Sequence, residues 1–240
     1  MDEDVDKDAI GHELAACIAE AQALRTARLS DSDPDDFPRL KEWQAARLAG
    51  TYADLLASPR HRPAAEFFLS DLYGPKDFRS RDEELARVVP IMVRVLPARA
   101  LMTLLEAVKM DALSESLDTA MVVALRKIGK SEAIDWPAYV TAYRACGRRK
   151  DRELQITLVD RIGKTLDRLT RMPLIHFSLK LMSGPAHLAG LGDLHSFLQR
   201  GFDAFSFMKG ADEFLAIVTE RETTLMKEWF AGPDARYPAP

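Results

Sequence analysis

The chain has 240 residues, of which 47% are hydrophobic and 29% are charged, a composition typical of a folded globular protein. This composition excludes a disordered, collagen-like or coiled-coil chain, and the length is sufficient for a substantial hydrophobic core. The net charge of −4 is unevenly distributed, because the first 40 residues carry −7 and the remaining 200 carry +3. A nearly neutral body lacks the clustered positive charge of nucleic-acid-binding proteins, so we expect no nucleic-acid partner.

The cysteine content and the N-terminal sequence indicate a cytoplasmic protein. Cys17 and Cys146 are the only cysteines, too few for a disulfide framework or an all-cysteine metal site. The N-terminus, MDEDVDKDAI, is acidic where a signal peptide has basic residues and an apolar run, and no uncharged stretch approaches the length of a membrane span. We expect an acidic disordered tail at residues 1–8, a single helical domain at 9–230 and a flexible tail at 231–240.

Apolar residues recur at helical spacing along almost the whole chain, without a series of alternating strands. This pattern predicts an all-α protein, a single bundle of about nine to eleven helices. The first two predicted helices span 9–29 and 36–57, and Asp36 in the acidic loop between them is expected to cap the second. The carboxylates of this loop have the spacing of the ligands in a calcium-binding loop. However, Asp36 occupies the position at which a calcium-binding loop needs glycine for its sharp turn. An acidic linker is therefore favoured over a calcium site.

A short third predicted helix carries the sequence FFLSDLYG. Phe68, Leu69, Leu72 and Tyr73 share one face of this helix, whereas Phe67 points away from it. Such a helix is apolar on two sides. We therefore expect it to be wedged between neighbouring helices that it helps to hold together.

The middle of the chain shows several helix signals. The sequence SRDE, Ser80–Glu83, has the spacing of a capping box before a helix that Pro90 is expected to kink. The sequence IDWPAYVTAY predicts a helix capped by Asp135. The basic cluster RACGRRKDR, Arg144–Arg152, indicates either a solvated helix start or a phosphate contact. It opens a helix predicted at about 148–171, whose apolar face is formed by Leu154, Leu158, Ile162, Leu166 and Leu169.

The last part of the chain is predicted to contain three helices and a break. The helix at 173–182 is apolar around most of its circumference, which favours a central position in the bundle. The sequence SGPAHLAGLG, at 183–192, contains three glycines and a proline and predicts a broken segment. Two final helices are predicted at about 192–208 and 211–230.

The sequence FFLSDLYG resembles the signature of the FFLEELY-motif family of uncharacterised bacterial proteins, with Ser70 and Asp71 at the positions of its two glutamates. The following sequence, DFRSRDEELARVVPIMVRVLP, is also similar to those proteins, and the similarity runs through most of residues 40–230. The resemblance implies a helical fold and no known activity, and Ser70 argues against a catalytic role for the motif's acids. The motif residues are Phe67, Phe68, Leu69, Asp71, Leu72 and Tyr73.

A carboxylate lies within the apolar stripe of the last predicted helix. Glu222 is in this stripe and Arg221 is at its edge. A buried carboxylate is costly unless it is paired or protonated, and such groups often mark functional sites. Glu222 is expected either to pair with an arginine of a neighbouring helix, such as Arg47, or to contact a ligand.

The preceding helix has a glycine within its apolar stripe. Gly201 lies beside Phe202 and Phe205, which indicates close approach by a neighbouring helix or by an apolar ligand. His195, at the edge of the same face, is either a packing residue or a ligand contact. His187, in the predicted broken segment, either faces water or contributes to function.

Three functions remain open. The favoured one is a non-enzymatic protein-interaction or regulatory module, because no complete nucleophile, metal or phosphate motif is present; its partner is another protein or a second copy. It predicts a filled core and an exposed apolar patch that includes Phe67 or Phe207. The alternatives are an enzyme using Glu222 and a histidine as acid and base, and a protein that binds an apolar small molecule or haem in a C-terminal pocket. The pocket candidates are Glu222, Arg221, His195, Gly201, Phe202, Phe205 and His187.

Overall fold

The computed structural model describes residues 6–72, 79–95 and 98–232, and these ranges contain helices and no strand. The prediction of an all-α bundle is confirmed. No helix in these ranges combines the length and the apolar composition that crossing a bilayer requires. The helices are α1 (Lys7–Arg28), α2 (Asp36–Thr51), α3 (Ala53–Ala57), α4 (Arg62–Phe67), α5 (Arg79–Val95), α6 (Ala98–Lys127), α7 (Trp136–Ala145), α8 (Arg149–Thr170), α9 (Pro173–Leu188), α10 (Gly192–Met208) and α11 (Asp212–Ala231), with a π-helical turn (Phe68–Leu72) after α4.

One long helix, α6, contributes to three hydrophobic clusters. Its 30 residues span about 45 Å. Leu101, near its start, packs with α1 and α5, and Met110 packs with residues of α4, α8, α10 and α11. Met121, in its last third, packs with α2, α7 and the end of α11. The helices on either side of α6 are therefore joined through it.

Helix α1 begins two residues earlier than the sequence predicted. Asp6 is its N-cap, and its carboxylate accepts hydrogen bonds from the backbone nitrogens of Asp8 at 3.0 Å and Ala9 at 3.2 Å. Because these bonds satisfy free N–H groups of the first turn, the helix includes two residues that were assigned to the acidic tail. The rest of that tail and most of the predicted C-terminal tail lie outside the described ranges.

The acidic loop before α2 is closed by an arginine of α6. Arg126 donates from Nε to the Asp36 carboxylate at 2.6 Å, from Nη1 to Asp31 at 3.0 Å and from Nη2 to the carbonyl of Asp33 at 2.9 Å. The guanidinium thus lies between the carboxylates that a calcium ion would need. The prediction that Asp36 caps α2 is wrong, because its side chain is bound to Arg126 and Asp35 holds the cap position.

Helix α5 differs from the prediction at its start. It already includes Arg79, so Ser80 lies inside the helix and the predicted capping box is wrong at this residue. The helix continues through Pro90 to Val95. The kink expected at that proline stays a prediction.

Helix α9 continues through the predicted break as far as Leu188. Pro185 removes the hydrogen bond of its own nitrogen and its ring crowds the carbonyl of residue 181, but the helix continues past it. The end comes at Gly190, whose φ of +68° is accessible to glycine, and the nitrogen of Leu191 then donates to the carbonyl of Ala186 at 2.8 Å. Of the predicted broken segment, only residues 189–191 lie outside the helices, and they form a short turn between α9 and α10.

Helix α9 lies at the surface, so the prediction of a central position is wrong. Phe177, Leu181 and Leu188 are 64%, 65% and 92% exposed, and their spacing of four and seven residues places them on one face. The helix packs against α10 and α8. These three side chains are called the α9 strip below.

Candidate functional site

A cavity of about 90 Å³ lies where α2, α7, α8 and α11 meet the π-helical turn. A cavity of about 150 Å³ binds one benzene molecule, so a cavity of about 90 Å³ has room for roughly four non-hydrogen atoms. One part of its wall is apolar and the other carries charged and hydroxyl groups. The apolar part includes Leu48, Phe68, Leu69, Val159, Phe214 and Val218.

The π-helical turn supplies part of the apolar wall. Phe68 and Leu69, from the FFLSDLYG sequence, both line the cavity. The ring of Phe68 packs against Phe214 of α11, with ring centroids 5.6 Å apart. A π-helical turn holds one more residue than an α-helical turn and so changes the direction of the side chains within it, and such turns are frequent at functional sites.

Glu222 of α11 lies in the polar wall and has two partners, one in α2 and one directly after the C-terminal end of α2. Its Oε1 accepts hydrogen bonds from Arg47 Nη1 at 2.6 Å and from the Tyr52 hydroxyl at 2.8 Å. The predicted pairing of Glu222 with Arg47 is confirmed. Burial lowers the pKa of Arg47, but the charge of Glu222 outweighs this effect and leaves the pKa above its ordinary value.

Asp118 of α6 is the second carboxylate of the wall, and it is also paired. Lys41 Nζ lies 3.2 Å from one of its oxygens, and Gln44 Nε2 donates to the other at 2.9 Å. All three side chains are buried. Both carboxylates of the wall are therefore matched by a cation from α2.

Arg152 of α8 is a buried cation with no carboxylate within 4 Å among the described residues. The residue is 9% exposed. Its Nη1 donates to Gln155 Oε1 at 3.2 Å, and its guanidinium carbon lies 4.6 Å from the centroid of the Tyr143 ring. Burial lowers the pKa of Arg152, but Tyr143 and the other surrounding groups outweigh this effect and raise it overall. Arg152 is thus held charged in the wall of the cavity.

The burial of Arg152 was not predicted from the sequence. Of the two interpretations of the basic cluster, the solvated helix start is wrong for this residue. The apolar face predicted for α8 is also displaced, because Leu154 is 47% exposed whereas Val159 and Gly163 are buried. The one available signal was spacing, since Arg152 lies seven residues before Val159 and therefore on the same face.

The structure does not bring the predicted pocket residues together, and of the seven only Glu222 lines the cavity. Arg221 pairs instead with Asp54, with two N–O distances of 2.7 and 2.6 Å. A Cβ atom at Gly201 would lie 2.8 Å from the ring of Phe67. The space at this glycine is therefore filled by a neighbouring helix and leaves no room for a ligand.

The other predicted pocket residues are engaged in packing or in backbone contacts. Phe202 and Phe205 are 2% and 1% exposed. His195 is buried, and its Nε2 donates to the carbonyl of Leu179 at 2.8 Å. His187 is exposed and does not line the cavity. The hydrogen bonds of Glu222 among the described residues come from Arg47 and Tyr52 and not from a histidine, so the acid–base pair of the enzyme hypothesis is not formed.

The interpretation of FFLSDLYG as a wedge is confirmed for Phe67 and Phe68. Phe67 packs on α10 against Phe197, with ring centroids 5.4 Å apart, while Phe68 faces the cavity on the other side. Phe67 is only 7% exposed, so the prediction that it belongs to an exposed apolar patch is wrong. Phe207, the other residue named for such a patch, is 59% exposed.

The acid of the motif links the π-helical turn to α10. Asp71 is 4% exposed and accepts hydrogen bonds from Arg200 Nε at 3.1 Å and Nη2 at 2.7 Å. Ser70 donates to the same carboxylate at 2.8 Å. The side chain of Leu72 and the whole of Tyr73 lie outside the described part of the chain. The contacts of Asp71 are those of a structural residue.

A family model described as Domain of unknown function (DUF8198) matches residues 22–236, which is most of the chain. The chain therefore belongs to this family. No curated protein and no solved structure matches it. Because the family assigns no activity, a function has to be argued from the cavity and its residues.

Proposed function

We propose that this member of a domain family of unknown function binds a small organic molecule in the cavity beside Glu222. The observation that carries the proposal is the cavity itself. Protein interiors are closely packed, and voids larger than a water molecule are few in each domain. A largely apolar wall with a small number of polar groups is also the usual composition of a small-molecule site.

The size and the wall of the cavity limit the ligand. Room for roughly four non-hydrogen atoms is far too little for a haem, so the haem alternative is not retained. None of the five histidines, all within the described ranges, lines the cavity. Glu222 therefore has no histidine partner there for acid–base chemistry, and its two hydrogen bonds hold α11 to the end of α2. Binding is thus favoured over catalysis.

The test is native mass spectrometry of the full chain purified from its own host, compared with the mass under denaturing conditions. We expect an added mass that disappears on denaturation. Val218→Phe places a ring in the cavity and should abolish the added mass. Ala216→Phe places the same ring on the exposed side of α11 and should retain it. Wild-type protein without added mass, or equal added mass in both variants, would contradict the proposal.

A second function, contact between two copies of the chain, is supported by the α9 strip. Phe177, Leu181 and Leu188 are exposed apolar residues on one face of α9, and exposed apolar patches commonly mark interaction sites. The same patch on two copies can pair around a twofold axis without any other partner. Light scattering should show a dimer of the wild-type chain. Phe177→Asp should dissociate this dimer. Leu154→Asp, at an exposed leucine of α8, should leave it intact. A wild-type monomer at all concentrations would rule out this function.

The proposal also includes the setting of the protein. We place it in the bacterial cytoplasm, where its two free, half-buried cysteines would stay reduced. Burial raises the pKa of both thiols, which lowers their reactivity. The narrower relation to the FFLEELY-motif proteins belongs to the same proposal, and it gives the motif a role in forming the cavity through Phe68 and Leu69.

A further inference from the structure

The charges in the wall of the cavity are balanced. Among the described residues, two cations, Arg47 and Arg152, and two carboxylates, Asp118 and Glu222, line it. Glu222 forms an ion pair with Arg47, and the negative charge of Asp118 stabilises the charged form of Arg152. A charged ligand would add a buried charge that the wall does not compensate, which is costly. The wall therefore favours a neutral ligand.

The hydrogen-bond donors of the same wall lack acceptors. Each guanidinium has five N–H donors. Among the described residues, the Arg47 side chain donates only to Glu222 and the Arg152 side chain only to Gln155. Arg47 Nε and Trp229 Nε1 are buried without a hydrogen-bond partner. The wall thus has more donors than the surrounding side chains can satisfy.

Tyr143 of α7 adds a hydroxyl to this set of donors. It lines the cavity and is 6% exposed, and its hydroxyl makes no hydrogen bond to a described residue. Burial raises the pKa of this hydroxyl, even though Arg152 acts in the opposite direction, so the oxygen keeps the proton that it can donate. The centroid of the Tyr143 ring lies 4.6 Å from the guanidinium carbon of Arg152. Two groups with unused donors are therefore neighbours in the wall.

Resting on the proposed binding function, we infer that the ligand is a small neutral carbonyl compound whose oxygen accepts hydrogen bonds from Arg152 and Tyr143. A carbonyl oxygen has two lone pairs and so can accept from both residues. A hydrogen bond from a charged donor is roughly twice as strong as one between neutral groups. The apolar part of the ligand then lies against Phe68 and Phe214, which line the same cavity. Room for roughly four non-hydrogen atoms limits the ligand to about the size of acetone.

The inference is tested with acetone, acetate and 2-methylpropene, which have the same number of non-hydrogen atoms and the same planar, branched shape. Acetate adds a negative charge, and 2-methylpropene has no acceptor oxygen. NMR titration of the wild-type full chain gives the three dissociation constants. We expect acetone to bind at least about threefold more tightly than either of the others, because only acetone satisfies the donors without adding a charge. An apolar void without free donors would instead prefer 2-methylpropene, the most apolar of the three.

Two substitutions assign the preference to the donors. Tyr143→Phe removes the hydroxyl and keeps the ring. It should weaken acetone binding at least about threefold and leave the affinity for 2-methylpropene unchanged. Arg152→Met should also weaken acetone binding at least about threefold. The matched control is Arg149→Met, at an exposed arginine of the same helix that pairs with Glu153, and it should leave acetone binding unchanged.

The possible outcomes separate this inference from the proposed function. Acetate binding as tightly as acetone overturns the neutral ligand, and 2-methylpropene binding as tightly as acetone overturns the carbonyl group. Binding of none of the three compounds overturns the inference as a whole, and a natural ligand mass lost in Val218→Phe would then still support the pocket. Acetone binding that is unchanged in Tyr143→Phe and Arg152→Met overturns the role of these donors. The first comparison uses the unmodified protein, so it is decisive even if the variants do not fold.

Discussion

Glu222→Gln is predicted to destabilise the protein although it nearly preserves the shape of the side chain. The oxygen that accepts from Arg47 at 2.6 Å and from Tyr52 at 2.8 Å is retained in glutamine, but its negative charge is lost. Arg47, whose side chain is only 8% exposed, then stays buried without an ionic partner. The effect therefore reports the charge of Glu222 and its pairing with Arg47.

The magnitude follows from the burial of the two partners. Removing one partner of a fully buried ion pair costs about 3–5 kcal/mol, and a hydrogen bond to a charged group contributes about 1.5–3 kcal/mol. The Glu222 side chain is 22% exposed, so solvent screens part of the charge, and the amide keeps a weaker hydrogen bond. We expect a loss of about 2 kcal/mol for Glu222→Gln and about 3 kcal/mol for Glu222→Ala. For a chain of this size, 2 kcal/mol lowers the melting temperature by roughly 4–8 °C.

The assay is thermal and urea unfolding followed by circular dichroism. Glu220→Gln, at an exposed position of the same helix, is the matched control and should change the free energy of unfolding by less than about 0.5 kcal/mol. A double-mutant cycle with Arg47→Met should give a coupling energy of at least about 1 kcal/mol. If Glu222→Gln is no more destabilising than Glu220→Gln, the ion pair does not stabilise the fold and the reasoning is refuted.

Two further predictions concern packing and pH. Gly163→Ala should destabilise the protein by about 1–3 kcal/mol in thermal unfolding, because its Cβ would lie within 3 Å of Leu215. At Gly184 an added Cβ would meet no atom within 4 Å outside its own helix and chain neighbours, so Gly184→Ala should cost less than Gly163→Ala, with only crowding against Pro185 opposing it. The Arg221 guanidinium lowers the pKa of Asp54 to about 2, below its ordinary value of 3.8. The carboxylate therefore stabilises the fold above about pH 4, and this contribution is lost as the pH falls towards 2. Because Asp54 is 56% exposed, Asp54→Asn should cost at most about 1 kcal/mol at pH 7 and almost nothing at pH 2.

Each of these predictions has a contradicting result. Equal stabilities of the two glycine variants would show that α8 and α11 do not approach closely at Gly163. A difference between Asp54→Asn and the wild type that stays constant from pH 7 to pH 2 in urea unfolding would show that the ion pair with Arg221 is not its cause.

The Glu222–Arg47 pair shows what chemistry in the sequence can predict about tertiary contacts. A carboxylate within an apolar helical stripe has to be paired, and an arginine of another helix was available. The prediction required no knowledge of the distance along the chain. The sequence did not predict that Tyr52 is the second partner of Glu222, because a tyrosine hydroxyl does not need an ionic partner.

The surface position of α9 and the burial of Arg152 show what the sequence concealed. The sequence of α9 is apolar around most of the helix, yet α9 packs at the edge of the bundle and leaves the α9 strip exposed. Arg152 follows several basic residues that face water, so its local sequence resembles that of a solvated helix start. In both cases the exposure of the side chains depends on which other helices pack against them.

The sequence by itself determined the helical class and the Asp135 cap of α7, because helical periodicity and capping act between neighbours along the chain. The tertiary structure alone decided the cavity. Its wall combines Arg47, Asp118, Arg152 and Glu222 from four helices that are distant in the sequence. A void arises only where several packed surfaces fail to fill the space between them, and no single segment carries that information.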